Sequence, residues 1–333
     1  MRLEDLKKEL AKASKVFVLT DEQVAGFWLP ELKHALDING AVEIVLEPGE
    51  SNKDLNSAMR VWDTLHQFHA DRGAILVNFG GGMVTDLGGF AASTYLRGIR
   101  FVNVPTTLLA MVDASIGGKN GINLESVKNQ IGTFAEPMDV FVNPVYLSTL
   151  EDRELLSGLA EMLKYGYIVD PNLLKVNTSN YEQYLLQAGR IKKEIVEQDY
   201  HEQGLRKVLN FGHTFGHAIE GFTLSKGDPL THGESVAIGM WCAMRVSVEL
   251  CGLRQEVLLD YEPKLQMLLA KAGFAFTEDD VKAILPYLDD DKKRHGGQGR
   301  FVLLKDIAQP RYDQAVPKNL VEQALVEVAR IIS

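Results

Sequence analysis

The sequence predicts an α/β layer built on a largely parallel sheet over residues 1–150, followed by a helical domain over 151–333. Three observations carry this. Short β-rich runs alternate with helical patterns through the first half, at 16–20, 41–46, 74–79, 101–104 and 140–142, the order that produces βαβ units. From about Leu150 long helical patterns take over, at 151–169, 181–199, 205–222, 233–251 and 256–272. Their apolar residues wrap most of the way round, as in helices that pack on one another. The length of 333 residues suits two domains. A charged, Gly-rich stretch at 289–299, DDDKKRHGGQG, reads as an exposed loop ahead of a strand-like run at 301–304.

Composition excludes several classes. With 46% hydrophobic and 24% charged residues the chain has the balance of a soluble globular protein, and no apolar run approaches a membrane span. The opening MRLEDLKKELAKASK is amphipathic and charged, without the apolar centre of a secretion signal. Cys242 and Cys251 are too few for a disulfide framework and form no CxxC pair. They are expected to be buried free thiols of a reducing cytoplasm. A net charge of −10 and a pI near 5.4 oppose binding to nucleic acid or anionic membranes. An anionic substrate would have to meet a local basic cluster.

The segment RKVLNFGHTFGHAIE (206–220) carries the densest chemistry. Arg206, Asn210, His213 and His217 follow at steps of four, three and four, which on a helix forms one polar stripe. The residues around them are apolar, so the stripe must be hydrogen-bonded or metal-bound. In LAEMLKYG, Glu161 and Lys164 stand three apart on an otherwise apolar helix. They form either an ion pair or, for the carboxylate, a metal ligand. His232 opens the apolar helix of THGESVAIGM. Glu161, His213 and His232 thus form a candidate carboxylate-plus-two-histidine set that leaves one coordination position open, as in catalytic Zn²⁺ sites. Spacing alone leaves His213 and His217 as equal candidates.

Two further stretches point to anionic ligands. The predicted strand 74–79 runs into Gly80, Gly81, Gly82, Met83, Val84, Thr85 and Asp86 and then a helical pattern. Glycines let main-chain N–H groups approach a phosphate, and a helix N-terminus adds positive potential, so a dinucleotide pyrophosphate is the expected ligand, although the motif is not GxGxxG. Residues 101–132 place Thr106 and Thr107 after a strand and Pro105, then Asp113, Gly117, Gly118, Lys119, Lys128 and Asn129. The hydroxyls there can cap a helix or touch a ligand.

Together GGGMVTDLGGF, TYLRGI, VPTTLLAMVDASIGGKNGIN, KNQIG, GLAEMLKYG, RKVLNFGHTFGHAIE and HGESVAIGM, with EPGESNK upstream, resemble the 3-dehydroquinate synthase family of sugar-phosphate cyclases. The resemblance implies a Rossmann-like NAD-binding α/β domain and a C-terminal helical metal- and substrate-binding domain. It also implies NAD and one Zn²⁺, with Co²⁺ as an alternative, and a cytoplasmic homodimer. The implied metal ligands are Glu161, His213 and His232, which places His217 on the substrate side. Implied NAD contacts are Glu50, Lys53, Gly81, Gly82, Met83, Val84, Thr85, Asp86, Thr106, Thr107, Asp113, Lys119 and Lys128, with Tyr146, Leu147, Ser148 and Thr149. Implied substrate and catalytic residues are Lys119, Asn129, Lys164, Lys192, Arg206, Asn210, His217 and Lys292 or its neighbour Lys293, with Arg97 reaching a neighbouring subunit's site.

The implied reaction converts 3-deoxy-D-arabino-heptulosonate 7-phosphate to 3-dehydroquinate and phosphate, a step of the shikimate pathway. It proceeds by NAD-cycled oxidation, phosphate elimination, reduction and intramolecular aldol closure. Lys119, Lys164, Lys192 and Arg206 supply the cations that a carboxylate- and phosphate-bearing sugar needs. The sequence departs from the family pattern at Thr85 (usually Gly), Asn120 (usually Thr) and Gln23 (commonly Asn), positions that bear on the adenosine end of the NAD site. Rival readings are a related cyclase of the epi-valiolone or deoxy-inosose type, a metal-dependent polyol dehydrogenase, and a non-catalytic binding protein. Related cyclases usually replace some of Lys192, Asn210, His217 and Lys292, all of which this chain keeps.

Overall fold

The computed structural model describes residues 2–332 apart from 126, 228, 274, 275 and 295–299, and side chains at 127 and 289–294 are likewise outside the described residues. The chain divides into two compact units, Met1–Leu150 and Glu151–Ser333.

The first unit starts with α1 (Leu3–Leu10) and then alternates β1 (Val16–Asp21), α2 (Glu22–Ala35), β2 (Val42–Leu46), α3 (Leu55–Gln67), β3 (Ile75–Gly80), α4 (Gly82–Thr94) and β4 (Arg100–Pro105). All pairings in this sheet are parallel, in the order β2-β1-β3-β4. β3 is buried along its whole length, as expected for a strand covered on both faces. Phe17, Leu19, Leu76, Val61, Leu65, Leu87 and Phe101 form the core between sheet and helices. Asp21 starts α2 by accepting from the Gln23 and Val24 amides, so a polar side chain ends the strand and caps the helix in one step.

An antiparallel hairpin, β5 (Lys119–Leu124) and β6 (Val127–Phe134), completes the unit. Its composition gives no strand signal: KNGINL and VKNQIGTF are rich in Gly, Asn and Lys, residues that strands otherwise avoid. The two chains close through Gly121 and Gly132, where an added Cβ would fall 2.8 Å from the Ile131 carbonyl oxygen and 2.4 Å from that of Asn120. The expected strand at 140–142 is instead a single parallel bridge from Val140 to Asn103. Asn143 ends the extended run by capping the 3-10 helix Pro144–Thr149.

The second unit contains α5 (Asp152–Ile168), α6 (Leu185–Gln198), α7 (His213–Lys226), α8 (His232–Cys251), α9 (Gln255–Leu268), α10 (Val281–Arg294), the hairpin β7 (Arg300–Asp306) and β8 (Gln309–Ala315), and α11 (Lys318–Ile332). Helices dominate it as expected, the strand-like run at 301–304 lies in β7, and its pairing with β8 is the addition to a helical reading. Residues 289–294 continue α10, so the charged stretch is helical as far as Arg294. α8 is buried on nearly every side from Gly233 to Met244. Of the thiols, Cys242 is buried and Cys251 partly exposed.

The continuous helix expected over 205–222 does not form. Leu205–Asn210 is a 3-10 helix, and α7 starts afresh at His213 after Gly212, which has φ +80°. The cause is tertiary. A Cβ on Gly212 would lie 2.6 Å from Met240 Cγ and 2.9 Å from its main-chain N, while one on Gly239 would lie 2.0 Å from the Gly212 carbonyl oxygen. α7 therefore begins in backbone contact with α8, at a left-handed residue that breaks the polar stripe into two pieces. Gly212→Ala should destabilise the helical unit by about 2–4 kcal/mol, combining left-handed strain with overpacking. Urea denaturation followed by circular dichroism measures this; a loss below about 0.5 kcal/mol would show that α7 and α8 can part there.

Candidate active site

Glu161 lies mid-way along α5 and is fully buried. His213 is the first residue of α7 and His232 the first of α8. Glu161 Oε1 stands 3.7 Å from His213 Nε2 and 3.5 Å from His232 Nε2. Both separations exceed a good N–H···O bond of about 2.9 Å. They approach the edge, roughly 3.4 Å, of a tetrahedron whose corners lie about 2.0–2.2 Å from a central ion. One ligand atom from each residue falls within 4.8 Å of the others, so the donor set and spacing fit a divalent cation such as Zn²⁺.

The surroundings act on the two imidazoles in opposite directions. His213 Nδ1 is 3.2 Å from the Phe211 carbonyl, which can only accept, so Nδ1 carries the proton and Nε2 offers its lone pair toward Glu161. Burial, then the charge of Lys164, hold His213 well below the usual imidazole value and thus neutral. His232 is pulled the other way. Burial opposes its charge, but Glu161 on one side and Glu220 on the other outweigh it and raise the ring to about 10. Glu220 Oε1 lies 3.9 Å from His232 Nδ1. His217 is exposed, with its ring 5.3 Å from that of His213 and 6.1 Å from that of His232. Among the described residues it groups with Glu220 and His232, not with Glu161.

Cations line the same unit. Lys164, Lys192 and Arg206 are each less than a tenth exposed, on α5, α6 and the 205–210 segment, which pack against one another. Lys164 Nζ contacts the second oxygen of Glu161. The Arg206 main chain is tied to Asp199 Oδ2 at 3.0 Å. Asn210 Nδ2 donates to Glu202 Oε1 at 2.7 Å. The Lys292 side chain lies outside the described residues.

In the first unit, the glycine loop joins β3 to α4. Gly81 is the N-cap and no side chain caps the helix, which leaves first-turn amides directed at whatever lies beyond. A Cβ on Gly81 would meet Thr107 Cγ2 at 3.0 Å, and one on Gly82 would meet Ala114 at 3.3 Å. Val84 is buried and Met83 packs on the core, so these two would serve a ligand through main-chain N–H. The strand order reverses between β1 and β3, and in open parallel sheets ligands bind at the carboxyl ends of strands flanking such a reversal. Thr107 Oγ1 accepts from the Ala110 amide at 3.1 Å. Thr106 Oγ1, buried beside the loop, has no hydrogen-bond partner among the described residues, and its amide donates to the Gly80 carbonyl at 3.0 Å. A buried hydroxyl of this kind and a glycine cradle fit a phosphate-bearing nucleotide.

Lys53 is buried and reaches Asp86 at 2.9 Å and Glu50 at 3.1 Å. Burial works against its charge, but the two carboxylates outweigh it and hold the ammonium group above its usual range. Asn123 Nδ2 donates to Glu50 Oε1 at 3.1 Å, and its Oδ1 accepts from the Asn129 amide at 2.9 Å. Glu50, Lys53, Asp86 and Asn129 thus belong to one network. Asp113 lies in the π-helical turn Ala110–Ala114, with Lys119 exposed on β5 and Lys128 partly exposed on β6. Tyr146 is buried edge-on against Phe79 and Trp28, Leu147 is buried beside it, Ser148 Oγ donates to the Val145 carbonyl, and Thr149 Oγ1 accepts from Trp28. Arg97 is exposed and follows Leu96, both with positive φ (64° and 50°).

The three departures from the family pattern are each accommodated. Thr85 Oγ1 donates to the Gly82 carbonyl at 3.1 Å. Asn120 donates to the carbonyls of Gly118 and Ala135. Gln23 is exposed in the first turn of α2. Sequence reading missed Glu202, Glu220 and Asn123. Glu220 had a signal, since it completes the His213, His217, Glu220 period on one helical face; Glu202 and Asn123 meet their partners only through the fold.

Residues 43–157 match the family model for the 3-dehydroquinate synthase N-terminal domain and residues 158–294 that for its C-terminal domain. A 3-dehydroquinate synthase of Parabacteroides distasonis is 38% identical over 96% of this chain and 95% of its own length. A solved 2-epi-5-epi-valiolone synthase from Streptomyces hygroscopicus subsp. jinggangensis, with NAD⁺ and Zn²⁺ bound, superposes with a TM-score of 0.85 at 27% identity, covering 96% of this chain and 91% of that one. A 2-deoxy-scyllo-inosose synthase shares the fold, with a TM-score of 0.82 at 24% identity over 98% of this chain and 94% of that one. With both domain models matched in order and a relative this similar along nearly its whole length, the chain belongs to the 3-dehydroquinate synthase family.

Proposed function

We propose that the chain is a 3-dehydroquinate synthase: a phosphate-eliminating, carbocycle-forming lyase that converts 3-deoxy-D-arabino-heptulosonate 7-phosphate to 3-dehydroquinate and phosphate, using NAD and Zn²⁺, with Co²⁺ as an alternative. The observation that carries it is the approach of Glu161, His213 and His232, from three helices, to within ligand distance of one another, in a chain of this family. Glu161, His213 and His232 would hold the metal, and the glycine loop with Thr106 would hold the nucleotide. When bound, NAD supplies a hydride acceptor that is restored within the cycle, and Zn²⁺ polarises a substrate oxygen.

The chain's own residues do the rest. Lys164, Lys192 and Arg206 present buried cations to the substrate carboxylate and phosphate, where low dielectric strengthens them. The Asn210 amide, oriented by Glu202, is a donor of fixed direction. His217, exposed beside the metal ligands, is placed to hold or release a proton near the leaving phosphate. Lys119, Asn129 and Lys292 are assigned to substrate by resemblance. Arg97, exposed in the Leu96-Arg97 turn, is assigned by resemblance to a partner subunit's site in a cytoplasmic homodimer.

Phosphate release from the heptulosonate, assayed beside sedoheptulose 7-phosphate and glucose 6-phosphate with NAD⁺ and Zn²⁺ added, should occur with the first alone and without net NADH. Release only from another sugar phosphate would make the chain one of the related cyclases, and accumulating NADH would make it a dehydrogenase. His213→Ala should lose bound Zn²⁺ and turnover together; full metal occupancy in that variant would reject the ligand assignment. Lys164→Met should cut turnover by about 100-fold or more with NAD affinity nearly unchanged. Its metal affinity should hold or rise, since Lys164 competes with a cation for the Glu161 charge. A large loss of NAD affinity would contradict the substrate role.

A further inference from the structure

We propose that Arg153, acting with Ser157, is a positioning residue of the metal centre, one that locks the first turn of α8 to α5 and thereby holds His232 against Glu161. This rests on the reading that Glu161, His213 and His232 bind a metal. Arg153, Ser157 and Glu161 follow at steps of four on α5, so they share one face. Each meets a successive residue at the start of α8. Arg153 Nε and Nη2 donate to Glu234 Oε1 and Oε2 at 2.8 and 2.7 Å. Ser157 Oγ accepts from the Gly233 amide at 3.0 Å. Glu161 Oε1 faces His232 Nε2 at 3.5 Å.

The rungs reinforce one another. Glu234 is almost wholly buried, and its carboxylate also closes a capping box with Thr231, accepting from the Thr231 amide at 2.7 Å while Thr231 Oγ1 accepts from the Glu234 amide at 3.3 Å. Arg153 Nη2 reaches past the cap to the Pro229 carbonyl at 3.1 Å. The residues on both sides of His232 are therefore fixed, Thr231 by the box and Gly233 by Ser157. The helices have no slack at this point, because a Cβ on Gly233 would fall 2.1 Å from the Ser157 carbonyl oxygen. A planar, two-pronged cation reaches both Glu234 oxygens at once, a geometry that lysine's single ammonium does not reproduce. A ligand delivered by a helix end that is clamped before the ion arrives loses little freedom on binding it, which is where outer-sphere contacts exert their effect on affinity.

The test uses the full chain as wild type, Arg153→Met, Arg153→Lys, Ser157→Ala and His213→Ala. It reads Zn²⁺ affinity by chelator competition, the visible absorption of the Co²⁺ form, and thermal unfolding with and without metal. Arg153→Met should weaken Zn²⁺ binding by about tenfold or more, with Arg153→Lys and Ser157→Ala each weaker by several-fold. The metal-induced rise in Tm should shrink and the Co²⁺ band should change. Folded variants with wild-type Zn²⁺ affinity and an unaltered Co²⁺ band, whose Tm falls equally in metal-free and loaded forms, would overturn the proposal and leave the metal reading standing. If Arg153→Met does not fold, Arg153→Lys and Ser157→Ala decide by the same criteria. A wild type that takes up no Zn²⁺, or takes it up as well as His213→Ala, would overturn the metal reading and this proposal with it.

Discussion

A carboxylate with no access to water organises the second unit. Taking Glu161 out of solvent costs on the order of several kcal/mol unless positive charge or donors surround it, and the helices that meet it are arranged to supply both. Lys164 contacts one oxygen. The other faces two imidazoles carried on helix starts. Bringing two helix starts to one atom requires α7 and α8 to approach backbone to backbone, and Gly212 and Gly239 make that approach sterically possible. Packing and chemistry are thus one requirement here, and the glycines are as much part of the proposed metal centre as the residues proposed to bind the ion.

The first unit solves a related problem by a different route. Lys53 is a buried cation balanced by Asp86 and Glu50, and Asn123 extends that balance to the hairpin through the Asn129 amide. Asp86 belongs to the helix that the glycine loop opens, so the polar network holds α4 in place from below its uncapped end. A chain with a net charge of −10 can attract a multiply charged anion only where its cations are gathered and shielded from bulk salt, and buried Lys164, Lys192 and Arg206 meet that condition better than surface charge would.

The sequence disclosed whatever local pattern determines. Four parallel strands stood out as β-rich runs, and α5, α8 and α9 as apolar periods, because β1, β3, β4, α5 and α8 are buried along most of their length and β2 and α9 each bury one face. Glu161 and the three histidines stood out as polar residues in apolar company. What stayed hidden depends on contacts distant along the chain. The β5–β6 hairpin is held by Gly121 and Gly132 against facing carbonyls, which no strand propensity records. The break at Gly212 is imposed by Met240 on another helix, so a stripe that is continuous in sequence is divided in space. His213 and His217 could not be told apart by spacing, since the difference lies in where Glu161 arrives from α5.

A fold shared at a TM-score of 0.85 with only 27% identity cannot itself select the sugar phosphate. The glycine loop and the proposed metal set are built on closely packed elements: the buried β3 strand, and helix starts in backbone contact. Some of the residues assigned to substrate occupy different ground. Asn210 and Arg206 lie on a short 3-10 segment, a form with poorer hydrogen-bond geometry than an α-helix, and are oriented by Glu202 and by the Asp199 turn. The proposed substrate contacts on the 205–210 segment are thus set by neighbouring polar side chains, while the proposed metal and nucleotide elements are set by the packing described above.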